Sequence, residues 1–298
     1  MKLLYPTQYN MSKQKIVNWL IFILLSLIWG SSFILMKKGS ENLSGWQIGS
    51  LRIFSAGLAF FPFAVFHFSK IPLKKIPFVI LSGLLGNLLP AFLFGIAIEK
   101  IDSSMEGILN SLTPLFVIVI GILFFKDKMQ NKKLAGVLVG LVGLIILSLS
   151  KSSLIHGEFN FTLLILLATL FYGLNVNIVS HYLKGIDPMQ MATVSLAIVG
   201  IPAGIVAWQQ NVFSIVQYDE SAGWSIAAVV LLGVVGSSIA TALFYVLIKR
   251  AGGLFASLVT YGIPIVSIIW GILDGENVTA VQVGCLGVIL GGVYLANR

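Results

Sequence analysis

Apolar residues along the chain fall into ten long runs separated by short polar segments. Each run is close to the ~20 residues that a helix needs to cross a bilayer. The runs cover residues 17 to 36, 46 to 67, 76 to 98, 104 to 125, 132 to 149, 160 to 183, 189 to 208, 224 to 248, 254 to 273 and 278 to 296. The pattern therefore predicts ten membrane-spanning helices, here called spans one to ten.

Spans four and nine repeat one another. Shifting the sequence by 150 places GILNSLTPLFVIVIGIL, residues 107–123, on SLVTYGIPIVSIIWGIL, residues 257–273, so that Pro114 falls on Pro264. Spans one and six match at an offset of 143, which places Trp29 on Tyr172. A unit of five spans therefore occurs twice. Because five is odd, the second unit must enter the membrane from the opposite side.

We therefore predict an all-α integral membrane protein of ten transmembrane helices, arranged as two inverted five-helix repeats. The first repeat covers residues 16–150 and the second covers 151–298, after a cytoplasmic N-terminal tail of residues 1–15. The composition, 57% hydrophobic and 10% charged, agrees with this class because a water-facing surface needs more charge. Two such halves can exchange conformations, so that a cavity between them opens to each side of the membrane in turn.

The distribution of Lys and Arg predicts the orientation. The side with both termini has fourteen of them and the other side has four, Lys37, Lys38, Lys100 and Lys151; the fourteen are Lys2, Lys13, Lys15, Lys70, Lys74, Lys75, Lys126, Lys128, Lys132, Lys133, Lys184, Lys249, Arg250 and Arg298. The positive-inside rule then places both termini in the cytoplasm. The basic charge is expected to meet anionic lipid headgroups, and no nucleic-acid partner is expected.

The prolines of spans four and nine each leave a backbone carbonyl without its helical partner, which in lipid costs several kcal/mol. Either a neighbouring Ser or Thr hydroxyl closes the kink, or the open backbone faces a wet cavity. Because the break recurs at equivalent positions, the cavity interpretation is preferred. The polar neighbours are Asn110, Ser111 and Thr113 beside Pro114, and Thr260 and Tyr261 beside Pro264.

Two further spans carry polar groups at corresponding depths. Span three has Asn87 and Pro90, and span eight has Ser237, Thr241 and Tyr245 at four-residue spacing, which places them on one helix face. Such a stripe cannot comfortably face lipid. It faces either the cavity or another helix, since Ser and Thr also form interhelical hydrogen bonds.

Aromatic residues near helix ends usually belong to the interfacial belt. Trp29 and Tyr172 lie deeper, at matching places in spans one and six, and Asn175 follows three residues after Tyr172 on nearly the same face. We therefore expect all three to line the substrate pathway.

Arg52 carries a charge within span two, at a cost of ~2.5 to 3.5 kcal/mol at the helix centre. It either pairs with substrate or a conformational partner, or forms a structural salt bridge while its long stem snorkels outward. Glu106, one turn into span four from the same side, is its expected partner and the candidate carboxylate for proton coupling. Alternatively, Glu106 interacts with the helix dipole at the start of span four.

The last span of each repeat has a GxxxG pair: Gly136 and Gly140 map onto Gly287 and Gly291 at an offset of 151. Small residues at this spacing favour close helix packing, within the monomer or between two copies in a homodimer. The single cysteine, Cys285, and the three histidines form no metal-ligating cluster, so neither a metal nor another cofactor is expected.

The chain resembles the drug/metabolite transporter superfamily, EamA type. The resemblance is carried by WGSSF at the end of span one, by Arg52, by the prolines of LTPLF and GIPIV, and by Asp127 nine residues before Gly136. It covers nearly the whole chain and implies a secondary transporter, commonly an exporter of amino acids or other small metabolites. The chain departs from the family at Asp127, where a glutamate is usual, and in the shifted glycines Gly284, Gly287 and Gly291.

The resulting expectation is an inner-membrane carrier that exports small neutral or zwitterionic metabolites by alternating access, because the spans offer polar groups but almost no fixed charge. A multidrug or lipid-linked metabolite exporter or flippase of the same fold is the alternative. An intramembrane enzyme is disfavoured, because the sequence has no GxSxG and no two carboxylates at membrane depth that would pair. The expected partners are a small-molecule substrate and the lipid bilayer.

Overall fold

The computed structural model describes residues 5–127, 131–150, 159–215 and 222–296, and within these ranges the chain is helical without β-strands. Ten helices follow in order: α1 Tyr5–Ser40, α2 Gly45–Phe68, α3 Leu73–Ala97, α4 Ser103–Phe125, α5 Asn131–Ser150, α6 Phe159–Tyr182, α7 Pro188–Gln209, α8 Ala222–Ala251, α9 Gly253–Leu273 and α10 Ala280–Ala296. The all-α prediction is confirmed. The start of the N-terminal tail and the start of the second repeat fall in residues 1–4 and 151–158, outside the described residues.

Eight of these helices, α1 to α4 and α6 to α9, are long and apolar enough to cross a membrane, and α10 contributes a shorter apolar segment, Ala280–Gly292. Large apolar side chains cover their outer surfaces, for example Phe66, Phe124 and Leu273, each about seven-tenths exposed. Such a surface is stable against lipid and not against water. The protein is therefore a multi-pass membrane protein.

Equivalent residues begin the second helix of each repeat. Ser44 opens α2 with a capping box, in which its side chain accepts from the Gln47 amide while its own amide donates to the Gln47 side chain. Asp187, which corresponds to Ser44 at the 143 offset, accepts from the amides of Met189 and Gln190 and so caps α7. Such caps satisfy amides that the first helical turn leaves without partners.

The repeats exchange helix contacts in an inverted arrangement. α1 packs on α8 and α9, while α6 packs on α3 and α4; α2 crosses α7, and α5 packs on α10. At one end of the molecule, Ser225 near the start of α8 donates to the Lys38 carbonyl near the end of α1, at 2.8 Å. At the other end, Lys75 near the start of α3 donates to the Lys184 carbonyl just after α6, at 2.6 Å. The two halves are thus related as predicted.

The crossing of α2 and α7 depends on two glycines. A Cβ atom on Gly57 would lie 2.7 Å from the Gly200 Cα, and one on Gly200 would lie 2.8 Å from the Gly57 Cα. Any side chain at either position would therefore push the two backbones apart. The second helices of the two repeats meet at the centre of the molecule through this contact.

The packing of α5 against α10 uses the predicted glycine pair of the first repeat but not that of the second. A Cβ atom on Gly292 would lie 2.7 Å from the Gly136 carbonyl oxygen and 2.5 Å from the Gly140 amide nitrogen. By contrast, no described atom outside their own helix lies within 4 Å of a Cβ built on Gly287 or Gly291. Gly292, one residue beyond the GxxxG motif, makes the close approach.

Four helices are irregular at mid-length. α3 and α8 pass through π-helical turns at corresponding positions, Leu84–Leu88 and Leu232–Ile239. α4 is interrupted between Asn110 and Thr113, and α9 contains a 3-10 turn, Leu258–Tyr261. Such irregular backbone is tolerated at membrane depth where it is buried in protein or lines a cavity.

Candidate functional site: a central cavity between the repeats

A cavity of about 760 Å³, including the part that opens to solvent, lies where the irregular helices of both repeats meet. Residues from α1, α2, α3, α4, α6, α8 and α9 line it. Ten of the residues selected from the sequence are among them: Trp29, Arg52, Asn87, Asn110, Thr113, Tyr172, Asn175, Thr241, Tyr245 and Thr260. The structure thus brings together side chains that lie up to 231 positions apart in the sequence. Their contact with a substrate stays a prediction.

The other selected residues lie outside the cavity wall: Ser111, Ser237, Tyr261, Glu106, Pro90, Pro114 and Pro264. Sequence reasoning did not select several residues that do line it: Ser32, Phe33, Met36, Phe94, Phe244 and Ser257. The repeat contained a signal for two of these. Ser32 corresponds to Asn175 at the 143 offset, and Ser257 opens the repeated stretch of span nine.

At the break in α4 a hydroxyl closes the kink made by Pro114, and the neighbouring side chains also face the cavity. Pro114 has no amide hydrogen for the Asn110 carbonyl, and the Thr113 hydroxyl donates to that carbonyl at 2.8 Å instead. The side chains of Asn110 and Thr113 nevertheless line the cavity. The buried Ser111 hydroxyl donates to the Ile108 carbonyl at 2.6 Å and so serves the turn itself.

Hydroxyl groups also bond to backbone carbonyls at the break in α9, although neither bond reaches the Thr260 carbonyl, four residues before Pro264. The Thr260 hydroxyl donates to the Ser257 carbonyl at 2.8 Å, and the Ser267 hydroxyl donates to the Pro264 carbonyl at 3.1 Å. Tyr261 is half-buried against the hydrophobic core. Thr260 and Ser257 therefore present this break to the cavity.

The α3 break involves a π-helical turn. The Leu89 amide donates to the Leu84 carbonyl, five residues earlier, and Pro90 follows directly, buried in the helix. The wider turn places Asn87 on the cavity wall. Pro90 therefore shapes the helix without lining the cavity.

Hydrogen bonds join α3, α6 and α8 along the cavity. Ser82 donates to the Asn175 side-chain oxygen at 2.7 Å. Because a hydroxyl has one hydrogen, Ser82 then accepts from the Tyr245 hydroxyl, also at 2.7 Å. Thr241 donates to the Asn87 side-chain oxygen at 3.0 Å. The polar stripe of span eight thus bonds to a neighbouring helix and also lines the cavity. Nδ2 of Asn87 is buried and has no hydrogen-bond partner among the described residues.

Arg52 is buried in the cavity wall, where its Nε donates to the Ser237 hydroxyl at 2.9 Å. Tyr172 lies beside its guanidinium. Glu106 is fully buried, and neither of its carboxyl oxygens has a hydrogen-bond partner among the described residues. The expected ion pair between Arg52 and Glu106 is not formed in this conformation, in which the guanidinium is directed toward Ser237, Met36 and Tyr172.

A charged cluster closes one end of the molecule, here called the Glu276 end. Glu276 accepts from Lys37 Nζ at 2.9 Å, from the Ser103 amide and hydroxyl at 3.0 and 2.6 Å, and from the Ser104 amide at 3.0 Å. Burial alone would raise the pKa of Glu276, but the bonds from Ser103, Ser104 and Lys37 lower it to about 2. The bonded carboxylate ties α1, α4 and the loop between α9 and α10 together.

Asp274 extends this cluster toward solvent. It lies 2.8 Å from Lys37 Nζ and 2.9 Å from Lys38 Nζ. The hydrogen bond from Lys37 lowers the pKa of Asp274, and a bond from Lys38 adds to the effect. Four described charges thus meet between α1 and the α9–α10 loop.

The opposite end, here called the Asp127 end, contains a pocket of about 570 Å³, including the part that opens to solvent. Its wall includes Asp127, Ser180, His181, Gly253 and Leu254. Val176 lines both this pocket and the central cavity, so the two spaces adjoin there. The central cavity therefore adjoins a solvent-open pocket at the Asp127 end, whereas bonded charges occupy the Glu276 end.

A polar cavity between two five-helix halves is the arrangement to be compared with known protein families. The sequence model of the EamA-like transporter family matches residues 17–149 and, a second time, residues 161–298. The chain belongs to the EamA-like transporter family. This membership confirms the resemblance to the drug/metabolite transporter superfamily and makes the protein a transporter.

Several relatives of this EamA protein carry the same broad description. An "Uncharacterized transporter" of Archaeoglobus fulgidus is 22% identical over 282 residues, covering 94% of this chain and 99% of that one. An "Uncharacterized inner membrane transporter YedA" of Escherichia coli K12 is 25% identical over 284 residues, covering 92% and 88%. One crystal structure has a TM-score of 0.60 at 17% identity and covers 94% of this chain and 96% of that chain, which supports the fold.

Proposed function

We propose that this transporter moves small neutral or zwitterionic metabolites that carry a carboxylate, such as amino acids, by alternating access. The proposal rests on one observation: the guanidinium of Arg52 and the unpartnered Nδ2 of Asn87 lie in the wall of one cavity, and no carboxylate is among its described lining residues. A buried donor without a partner costs about 1–3 kcal/mol. A substrate carboxylate that accepts from both groups would remove this cost.

The remaining wall suits the other end of such a substrate. Asn110 and Thr113 offer oxygen atoms to an ammonium group, and the rings of Trp29 and Phe244, 5.0 Å apart, face the same space. Aromatic faces attract cations as well as apolar side chains. The substrate carboxylate would balance the charge of Arg52, and the substrate ammonium would then interact with these oxygen atoms and aromatic faces.

We also propose the orientation of the protein in the membrane and the direction of transport. Basic residues gather at the Asp127 end, including Lys75, Lys184 and Arg250, which favours a cytoplasmic location for this end and for both termini. A "Probable amino-acid metabolite efflux pump" of Salmonella typhimurium is 25% identical over 130 residues, covering 42% of this chain and 40% of that one. This relative supports export of amino-acid-like solutes across the inner membrane.

Glu106 is the proposed coupling group. A buried carboxylate with no hydrogen bond and no ion pair is strongly unfavourable, so we infer that Glu106 carries a proton in this conformation. Movement of Arg52 away from Ser237 and toward Glu106 would release this proton. Substrate binding to Arg52 would oppose that movement, which links the substrate and the proton.

The test is uptake and counterflow of labelled amino acids and neutral metabolites in proteoliposomes, with and without a pH gradient. We expect an amino acid to be transported, faster with the gradient in the wild type but not in Glu106→Gln. Glu41→Gln is the matched control, because Glu41 is exposed and pairs with Lys38. If the pH gradient stimulates transport equally in Glu106→Gln and the wild type, Glu106 is not the coupling group. If only solutes without a carboxylate are transported, the proposed substrate class is wrong.

A multidrug or lipid-linked metabolite exporter of the same fold is the second candidate. Phe33, Phe94 and Phe244 give the cavity an apolar lining that bulky hydrophobic solutes would use. Bulky dyes and lipid-linked compounds therefore belong in the same panel. Their transport in place of amino acids would favour this candidate.

A further inference from the structure

Asp127 and Glu276 follow the fourth helix of their repeats at nearly matching positions, because the 150 offset places Asp127 on Asn277, one residue after Glu276. The Asp127 amide donates to the Gly121 carbonyl at 3.0 Å, and the Glu276 amide donates to the Gly271 carbonyl at 2.8 Å. Gly121 and Gly271 correspond at the 150 offset. A Cβ atom on Gly121 would lie 2.6 Å from an Asp127 carboxyl oxygen, and one on Gly271 would lie 2.5 Å from a Glu276 carboxyl oxygen. Each carboxylate thus folds back over the end of its own helix, α4 or α9.

The donors that bind Glu276 have counterparts around Asp127. The 150 offset places Ser103 and Ser104, whose amides bind Glu276, on the first residues of α9, and the 143 offset places Lys37 on a residue of α6. The counterparts are Gly253, Leu254 and Ser180, and all three line the pocket at the Asp127 end. Lys38, which binds Asp274, corresponds to His181.

The two sets of residues differ in their contacts. At the Glu276 end the carboxylate is bonded, and a Cβ atom on Gly271 would lie 3.1 Å from the Ser104 Cβ, so α9 and α4 touch. At the Asp127 end the carboxylate is half exposed and lies 3.6 Å from His181 Nε2. The nearest described atoms to a Cβ on Gly121 belong to Asp127 and Asn177, not to α9.

Two kinds of unused donor lie at the Asp127 end. The Ser180 hydroxyl is buried and has no hydrogen-bond partner among the described residues. The first amides of α9 have no acceptor within their own helix, as at any helix start. At the Glu276 end the same kinds of group, a side-chain donor on the first helix of a repeat and two amides at a helix start, are bonded to one carboxylate.

We propose that the two carboxylates are alternate latches: when the cavity opens at the Glu276 end, Glu276 releases α4, and Asp127 binds the Ser180 hydroxyl and the amides of Gly253 and Leu254. Inverted repeats supply the reason, because each half then adopts the conformation of the other. This inference rests on the proposed alternating access and adds the contacts that exchange.

The two latches are unequal. Glu276 is bound by the Lys37 ammonium, whereas Asp127 would be bound at the equivalent place by a neutral hydroxyl. Both carboxylates are charged acceptors, but the Lys37 ammonium adds a charge–charge attraction that a neutral hydroxyl does not supply. The Glu276 latch therefore closes preferentially at rest, and this is the latch that is closed in the structure.

The experiment measures access to the cavity and needs no substrate. A reporter cysteine replaces Ser32, which lines the cavity, in a Cys285→Ala background. A membrane-impermeant thiol reagent is applied to inside-out and right-side-out vesicles. We expect labelling from the Asp127 end to dominate, and Glu276→Gln to raise labelling from the Glu276 end about fivefold or more. Glu41→Gln, an exposed acid at the same end, is the control.

Three further variants test the Asp127 latch itself. Asp127→Asn should reverse the effect of Glu276→Gln in the double variant. Ser180→Lys should raise labelling from the Glu276 end by itself, because it supplies the ammonium that this latch lacks. Asp187→Asn is the matched control, since asparagine still caps α7. Gel filtration checks that each variant is folded.

The outcomes separate the two proposals. If Asp127→Asn does not reverse the effect and Ser180→Lys leaves labelling unchanged, the alternate latch is wrong even if the protein transports solutes. If labelling shifts as expected but no solute in the panel is transported, the latch stands and the proposed substrate class fails.

Discussion

Arg52 Nε donates to the Ser237 hydroxyl at 2.9 Å and so ties the middle of α2 to the π-helical turn of α8. The contact joins the first repeat to the second within the cavity wall. It also fixes the direction of the guanidinium, whose remaining donors face Met36 and Tyr172. The cation is thereby positioned before a substrate arrives, which reduces the entropy lost on binding.

Replacement of Arg52 should therefore weaken transport more than loss of its support. We expect Arg52→Gln to raise the KM for an amino-acid substrate ~10-fold or more, because a hydrogen bond to a charged group contributes about 1.5–3 kcal/mol. Ser237→Ala should have a smaller effect, since the guanidinium remains. Concentration-dependent uptake in proteoliposomes measures both. A larger effect of Ser237→Ala would mean that Arg52 acts structurally.

Substitution of Asn87 should affect thermal stability and substrate affinity differently. Asn87→Leu removes a buried donor that has no partner, but it also removes the oxygen that accepts from Thr241. We therefore introduce it in a Thr241→Val background and expect thermal stability to be kept or increased relative to Thr241→Val alone. Substrate affinity should fall, because the same donor is assigned to the carboxylate. Thr241→Val is the companion variant, since it removes the existing bond to Asn87 and leaves both shapes similar. If Asn87→Leu lowers stability and leaves binding unchanged, the amide serves only the fold.

The contact between α2 and α7 predicts a sharp effect of one methyl group. Gly57→Ala places a Cβ atom 2.7 Å from the Gly200 Cα, a backbone atom that cannot rotate away. Overpacking of this kind costs about 1–3 kcal/mol. Gly287→Ala is the control, because no described atom outside its own helix lies within 4 Å of its new Cβ. Thermal unfolding in detergent should separate the two variants, and equal melting temperatures would contradict the close crossing.

The Glu276 cluster predicts a pH dependence of stability. The pKa of Glu276 falls from its ordinary 4.5 to about 2. Its stabilisation is therefore complete above pH 4.5 and is lost as the pH falls toward 2. Thermal unfolding between about pH 6 and pH 3 should show a decrease in the wild type that is smaller in Glu276→Gln. A similar decrease in Glu276→Gln and wild type would assign the acid sensitivity to other groups.

Much of the fold could be predicted because its signals are local. Hydropathy located the helices, since a bilayer demands about 20 apolar residues whatever they pack against. The match of Pro114 with Pro264 and an odd number of spans required inverted repeats. Ten of the selected polar residues line the cavity, because a polar group at mid-helix has few other places to go in lipid.

The Arg52–Glu106 pair was expected from sequence because both residues lie near the same membrane surface. Depth along a helix does not determine which face of it meets which neighbour, and the structure pairs Arg52 with Ser237, 185 positions away. The repeat pointed to Ser32 and Ser257, but a matching position does not determine how a helix is rotated, and only the tertiary structure shows that both line the cavity.

The sequence by itself therefore determined the class of protein, the ten spans and their duplication, because these depend on composition and spacing along the chain. Tertiary structure decided which side chains meet and which end of the cavity is closed. Asp127 and Glu276 lie one residue out of register in the alignment of the repeats, yet Glu276 binds α4 and Asp127 faces a pocket that opens to solvent. Two equivalent halves can differ in this way because the closure depends on small differences in free energy between packed states, such as an ammonium at Lys37 against a hydroxyl at Ser180.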